Sequence, residues 1–268
     1  MRPTLPHWLG RATMNANGRH YMDLVRIGPH TCIEVLRKTC SLHPEDRTRA
    51  ASWLDSMIVA GYDFDEHERS VFAGPVGWAL MNEPDVQGTR EDLVGIFHSL
   101  AIFGYAPKRL VEQVLSETLK RTATRADSEF VTELEEVLAD ESADIAVLRS
   151  SGGGIASERA LVITRWLTSP LADKLRAAAD ALGAAIPECD EHQLFVFSGI
   201  LAWLVADGAK TNEIRAILLR RLIDLAQYRS LDARVIDDVV AASKASDASE
   251  LDKLFRELRW MKDGRASS

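Results

Sequence analysis

The stretch from Pro84 to Leu119 has the pattern of two helices joined by a turn at Gly104. Apolar residues recur every three or four positions on both sides of the turn, as on one face of an amphipathic helix. Glycine supplies the left-handed conformation that ends many helices, and Pro107 suits the first turn of a following helix. The spacing predicts a helix over Thr89–Phe103 and a partner helix from Pro107 to about Thr122.

The apolar faces of these two helices are expected to pack directly on each other. The residues that would form the contact are Leu93, Phe97, Leu100 and Gly104 on the first helix, and Leu110, Val111, Val114, Leu115 and Leu119 on the second. Sustained alternation of apolar and polar residues, which would indicate strands, does not occur along the chain. The sequence therefore predicts an all-α fold.

A fainter copy of this hairpin precedes it at a shift of 43 residues. The identical pairs are Ser56 and Ser99, Gly61 and Gly104, Tyr62 and Tyr105, and Val71 and Val114. This period lies within the range of two-helix repeats such as HEAT and armadillo. The prediction is an array of helical hairpins, an α-solenoid or HEAT-like superhelix. A compact multi-helix bundle is the alternative, because unrelated amphipathic hairpins also end on glycine.

Local capping and breaking signals place other helix ends. Thr31 and Glu34 have the spacing of a capping box, so a helix is predicted from Cys32 to about Ser41. The pair Gly74-Pro75, with Gly77, is expected to interrupt or end the helix that approaches Ala73. Further expected signals are a stop at Gly183 and an N-cap at Thr211.

The run Gly152-Gly153-Gly154 is the natural place for a hinge or a domain boundary. It predicts an N-terminal helical lobe at residues 21–150 and a C-terminal helical lobe at residues 155–262. Residues 1–20 are predicted to be an irregular arm, and residues 263–268 a polar tail.

Composition favours a folded chain in a reducing compartment. A net charge of -8 disfavours a general polyanion binder, whose phosphate contacts need clustered Lys and Arg. Three cysteines are too few for a disulfide framework, and no apolar segment approaches the length of a membrane span. No Sec-type signal pattern is found at residues 1–18, so a cytoplasmic location without membrane contact is expected, with non-classical export left open.

Two Cys-His groupings suggest metal or catalytic chemistry. Zinc binding by Cys32 and Cys40, which have His30 and His43 beside them, fails on geometry. Eight helical residues separate the thiols by about 12 Å, whereas two thiolates on one zinc lie within about 4 Å. At Cys189 and His192, the acids Glu188, Asp190 and Glu191 would raise the pKa of the thiol. No metal ligand or catalytic nucleophile is therefore assigned.

Two further groupings have structural explanations. The glycines at 152–154 lack the following strand of a dinucleotide-binding turn and the Gly-Lys-Ser/Thr of a Walker loop, so no cofactor is predicted. Asp63, Asp65 and His67 sit where acids favour a helix N-terminus. An enzyme site assembled from these three residues and His98 stays open as an alternative.

Basic residues lie in and just after the second helices of two predicted hairpins. They are Lys108, Arg109, Lys120, Arg121 and Arg125 in the first, and Arg215, Arg220, Arg221 and Arg229 in the second. A nucleic-acid groove is a further alternative, although stacking aromatics are scarce there. Because each catalytic or metal grouping fails on spacing or context, the sequence favours a non-catalytic interaction protein, a scaffold or adaptor that binds a protein partner.

Overall fold

The computed structural model describes residues 28–59, 66–82, 89–120, 130–136, 154–207, 211–228, 231–232, 235–237, 239–240 and 253–258. The main helices are α1 (Pro29–Thr39), α2 (Pro44–Val59), α3 (Glu66–Asn82), α4 (Thr89–Ile102), α5 (Lys108–Leu119), α6 (130–136), α7 (Ser157–Leu167), α8 (Ala172–Ala185), α9 (Glu191–Ala206) and α10 (Asn212–Tyr228). A short 3-10 helix, Ile186–Glu188, joins α8 to α9. Strands are absent from the described ranges, which confirms the all-α prediction there.

Two buried helices, α3 and α9, cross near the middle of the core. At the crossing, a methyl group on Gly199 would lie 2.5 Å from Val71 Cγ2, and one on Gly74 would lie 2.8 Å from Val196 Cγ2. Both valines are fully buried. The two backbones approach this closely because glycine has no side chain to hold them apart.

Aromatic rings extend the contact between α3 and α9. Phe72 lies against Trp203 with ring centroids 5.5 Å apart, and Trp78 lies against Phe197 at 5.7 Å. All four rings are almost completely buried, so they contribute area burial and ring contacts to the same interface. This helix pair is the centre of the described core.

The remaining helices surround this pair. Helices α1, α4, α5 and α7 contact α3, and α1 and α10 contact α9. Helix α2 lies on α1 and α4, and α8 lies on α7 and α10. Within the described ranges, no helix has the length and apolar composition needed to cross a bilayer.

Helix α3 corrects one prediction, because it continues through Gly74, Pro75 and Gly77 to Asn82. Proline lacks the N–H that would bond four residues back, which costs about 3 kcal/mol in a helix interior. Gly74 and Gly77 permit close packing of neighbouring helices on α3. A methyl group on Gly77 would lie 3.0 Å from both Leu110 Cδ1 and Phe97 Cε2.

The same contact revises the predicted pairing of α4 with α5. Phe97 of α4 and Leu110 of α5 meet over Gly77, so both helices direct apolar side chains onto α3. Both helices of the hairpin therefore also pack on a third helix, α3.

Two predicted helix ends are wrong and two are confirmed. Thr31 does not cap α1, which begins at Pro29 after Gly28, because proline fits a position where an N–H would be unbonded anyway. Gly183 does not end α8; it lies inside the helix against the Arg221 guanidinium. Gly104 does end α4 with a φ of 76°, and the Thr211 hydroxyl accepts a hydrogen bond from Ile214 N at 3.4 Å.

The predicted division into lobes stays a prediction. Gly152 and Gly153 lie outside the described residues, as do Gly61 and Tyr62, on which the repeat comparison depends. Helices from before and after the glycine run contact each other, since α3 lies against both α7 and α9.

Candidate interaction site

Two large apolar side chains that are consecutive in the chain are both exposed where α4 ends. Ile102 is 50% exposed and Phe103 is 61% exposed. Both precede Gly104, whose left-handed conformation reverses the chain. Leu100 O accepts hydrogen bonds from Tyr105 N at 2.9 Å and from Ala106 N at 3.2 Å, which fixes the turn. The turn therefore holds the two side chains on the surface in a defined place.

Contacts with α3 and the core anchor the turn from its other side. The Arg69 guanidinium lies 5.0 Å from the centroid of the Tyr105 ring, and Arg69 Nη1 donates a hydrogen bond to the Tyr105 hydroxyl. Ala106 is fully buried next to them. A cation over an aromatic face contributes about 0.5–2 kcal/mol to stability. The Arg69–Tyr105 contact therefore stabilises the turn that follows Phe103.

A cleft opens beside this turn, where the start of α5 faces the start of α9. Its lining residues are Trp78, Pro107, Arg109, Leu110, Gln113, Asp190, His192 and Gln193. The cleft is shallow, with an enclosed volume of about 20 Å³. The apolar part of the lining comes from α3 and the first turn of α5. The polar part comes from Arg109 and Gln113 of α5 and from the start of α9.

The polar groups of the cleft serve the fold. Asp190 caps α9 by accepting a hydrogen bond from Gln193 N at 2.8 Å, and the Gln193 side chain accepts one from Asp190 N at 3.1 Å. This reciprocal capping box provides acceptors for two backbone N–H groups that have no acceptor within the helix. Arg109 Nη1 lies 3.7 Å from Asp190 Oδ2, so the buried carboxylate also has a cation beside it.

Gln193 also holds the chain that enters α7. Its Oε1 accepts a hydrogen bond from Ile155 N at 2.9 Å, and its Nε2 donates to Ile155 O at 2.7 Å. Gly154, with a φ of 61°, permits this approach, because a methyl group there would lie 2.7 Å from Asp190 Oδ2. The glycine at the end of the predicted linker is thus docked against the N-terminus of α9.

Cys189 is poorly suited to nucleophilic chemistry in this setting. Burial raises the pKa of its thiol from an ordinary 9.0 to about 12, and Asp190 and Glu188 add to the rise while Arg159 opposes it. The thiol is therefore protonated at neutral pH. Asp190 and Glu188 act as the sequence predicted, but burial, which the sequence did not predict, is the larger cause.

We expect iodoacetamide to alkylate Cys189 roughly a thousandfold more slowly at pH 8 in the native protein than in urea, because the thiolate fraction falls tenfold per pKa unit. Peptide mapping would give the rate at this residue. Similar native and unfolded rates would contradict this placement.

The pKa of the Cys189 thiol is higher in the folded chain than in the unfolded chain. The contribution of the protonated thiol to stability is therefore intact below pH 9 and is lost as pH rises towards about 12.

The other predicted groupings are not assembled into a site by the described residues. Cys32 and Cys40 are both fully buried, and the described chain contains no group of three or more His, Cys, Asp or Glu placed to hold a metal. Asp63 and Asp65 lie outside the described residues. The His67 ring lies against Phe195 at 5.0 Å, whereas His98 Nε2 lies 3.5 Å from Glu133 Oε2.

Several of the basic residues considered for nucleic-acid binding make contacts within the fold, whereas Lys108 and Arg220 are exposed. Arg215 is buried, and its Nε donates to Val205 O at 3.0 Å. Arg221 donates to Asp180 at 3.0 Å and to Asp224 at 2.9 Å, and Lys120 donates to Glu117 at 2.6 Å. A nucleic-acid groove gains no support from these contacts. Arg121, Arg125 and Arg229 lie outside the described residues.

Sequence reasoning missed the Asp190–Gln193 pair. Their Asp-x-x-Gln spacing just before an apolar run is a capping-box signal and could have located the start of α9. The exposure of Ile102 and Phe103 had no such signal, because an apolar residue at a helix end is equally compatible with burial. Comparisons of the chain with protein-family models, curated proteins and solved structures find no match.

Proposed function

We propose that this chain is a non-catalytic protein-binding module and that its docking surface is the end of α4. The observation that carries the proposal is the exposure of two consecutive residues, Ile102 and Phe103, before a stabilised turn. Apolar side chains clustered on a surface are typical of protein interfaces, and aromatic residues are enriched among those that dominate binding. The cleft begins three residues after Gly104, at Pro107.

The state of the cleft supports binding over chemistry. The Asp190 carboxylate and the Gln193 carboxamide are engaged with backbone groups, and the Cys189 thiol is protonated. A catalytic acid, base or nucleophile instead needs a pKa matched to its task and access to substrate. The second candidate, an enzyme built around His67, gains no specific support from the ring contact of that residue with Phe195.

The proposal also includes how the helices are arranged and where in the cell the protein is located. In a solenoid each repeat contacts only its neighbours, whereas here α3 contacts α9 and α1 contacts α9 across much of the sequence. These contacts favour a compact bundle over an array of hairpins. The cysteines Cys32, Cys40 and Cys189 are free thiols, which supports a reducing, cytoplasmic setting.

The double variant Ile102→Ser/Phe103→Ser should lose at least about tenfold in partner recovery, because removing an apolar anchor from an interface costs 1 kcal/mol or more. Recovery would be measured by quantitative mass spectrometry after affinity capture from the source cells. Both side chains are exposed, so the variant should keep the unfolding transition of the parent chain.

Leu42→Ser is the matched control, because Leu42 is 66% exposed in the turn between α1 and α2. This variant should recover the same proteins as the parent chain. The proposal fails if the double variant and the control recover identical sets in identical amounts, or if no protein is reproducibly recovered at all.

A further inference from the structure

Helix α6 lies beside α4 and is anchored to the fold by two side chains. Phe130 and Leu134 of α6 are almost completely buried. On α4, His98 Nε2 lies 3.5 Å from Glu133 Oε2 of α6. Because His98 and Ile102 are four residues apart in one helix, they occupy the same face of α4. Helix α6 therefore borders the proposed docking surface on the His98 side.

The outer side of α6 is acidic. Glu133, Glu135 and Glu136 are all exposed. Among the residues that the structure describes, no Lys or Arg forms a salt bridge with any of the three, and the histidine beside Glu133 is their one ionisable neighbour. Residues 126–148 contain eight Asp or Glu and no Lys or Arg, so chain neighbours do not neutralise this charge either.

The acidic character continues along α4. Glu91 and Asp92 are exposed in its first turn, and Glu91 lies three turns before Ile102 on the same face. Burial raises the pKa of Asp92, and the charges of Glu91 and Asp55 raise it further, whereas a hydrogen bond with the Thr48 side chain lowers it. The exposed face of α4 thus has carboxylates at its start and beside its middle, and apolar side chains at its end.

Cations near this face offset little of the negative charge. Four of them lie on α4, at the start of α5 or against the turn between these helices: Arg90, Lys108, Arg109 and Arg69. Three are engaged within the fold, Arg69 with the Tyr105 hydroxyl, Arg90 with Leu80 O and Arg109 with the Asp190 carboxylate. Lys108 is exposed on α5, but Glu112 is exposed one turn after it. The described part of this surface therefore has an excess of exposed carboxylates.

We infer that the partner docks through a basic amphipathic segment. Its apolar residues would contact Ile102 and Phe103, and its Lys or Arg side chains would face the carboxylates of α6 and of the first turn of α4. Such a segment complements both the apolar pair and the charge beside it, and charge complementarity mainly sets partner choice and association rate. This inference rests on the proposed docking function and specifies its partner.

A random dodecapeptide phage library selected on the immobilised full chain tests the inference. We expect enriched peptides to combine aromatic or aliphatic residues with several Lys or Arg. The triple variant Glu133→Gln/Glu135→Gln/Glu136→Gln should weaken a selected peptide about tenfold in fluorescence anisotropy, because three exposed charge contacts are lost together. Added salt should weaken binding to the parent chain more than binding to this variant, since salt screens exposed charges.

A second triple variant separates a local acidic face from the net charge of the chain. Glu158→Gln/Asp173→Asn/Glu213→Gln removes the same number of carboxylates from exposed positions on α7, α8 and α10. This control should bind the selected peptide within about twofold of the parent chain. All six positions are exposed, so both variants should keep the unfolding transition of the parent.

The possible outcomes separate the two proposals. Peptides that need Ile102 and Phe103 but show no basic preference, and bind the α6 triple variant equally well, would overturn the basic partner and leave the docking surface standing. Equal weakening by both triple variants would also overturn it, because net charge would then explain the preference. Selection that is indifferent to Ile102→Ser/Phe103→Ser would overturn both proposals. Failure to select peptides would overturn the basic segment, and a dimer in sedimentation velocity that the double serine variant dissociates would then assign the surface to a second copy of the chain.

Discussion

Replacing Gly199 by alanine should lower the free energy of unfolding by about 2–3 kcal/mol, because the added methyl group overpacks the crossing of α3 and α9. That methyl group would lie 2.5 Å from Val71 Cγ2, which is fully buried and belongs to a stiff β-branched side chain. The two helices must separate or Val71 must leave its rotamer. Urea unfolding followed by circular dichroism would measure the loss.

Two companion variants show whether the clash is the cause. Val71→Ala removes the methyl groups that Gly199→Ala would meet. The loss of stability in the double variant should therefore be smaller, by about 1–2 kcal/mol, than the sum of the losses in the two single variants. Gly95→Ala is the control: Gly95 is exposed inside α4 with no neighbour within 4 Å of an added methyl group. There alanine should stabilise by about 0.5–1 kcal/mol. Equal effects at Gly199 and Gly95 would refute the close crossing.

Replacing Gln193 by leucine should lower the free energy of unfolding by about 3 kcal/mol. It leaves several buried polar groups without a hydrogen-bond partner, and each such group costs about 1–3 kcal/mol. The Gln193 side chain bonds the N–H and the C=O of Ile155 and the N–H of Asp190. The leucine variant preserves side-chain bulk but none of these bonds. Urea unfolding would give the loss in stability.

Hydrogen exchange would localise this effect. The amide of Ile155 should be protected in the parent chain and exchange rapidly in Gln193→Leu, since Gln193 Oε1 is its acceptor. Gln113→Leu is the control, because Gln113 lines the same cleft at its half-buried edge. It should change stability by no more than about 0.5 kcal/mol. Unchanged protection of Ile155 in Gln193→Leu would show that Gln193 is not its acceptor.

Local patterns predicted most helices, because apolar spacing and strong stop signals act over a few residues. The end of α4 at Gly104 and the cap at Thr211 follow from the conformational freedom of glycine and the hydroxyl of threonine. Neither depends on a distant part of the chain, which is why the sequence alone sufficed.

Tertiary packing decided the cases that local patterns missed. Helix α3 continues through Pro75, and its glycines admit Val196, Leu110 and Phe97 from other helices. Sequence spacing contains no information about those approaches, so proline and glycine were interpreted as breakers.

The candidate site was less predictable than the fold. The cleft brings Arg109 to Asp190, 81 positions apart in the chain, and no local pattern links them. The Cys-x-x-His spacing of Cys189 and His192 suggested a catalytic pair. The pair that organises this region is instead Asp190 and Gln193. Ile102 and Phe103 became candidates only through their exposure, which depends on what the rest of the fold leaves uncovered.

Site-specific photo-cross-linking from position 103 is the most direct test of the proposed docking surface. With p-benzoylphenylalanine replacing Phe103 in the full chain expressed in the source cells, irradiation should give discrete adducts. The same group at Leu42, the more exposed position, should give none of these adducts. Equal adduct patterns from both positions, or none from position 103, would contradict a protein-binding role for the end of α4.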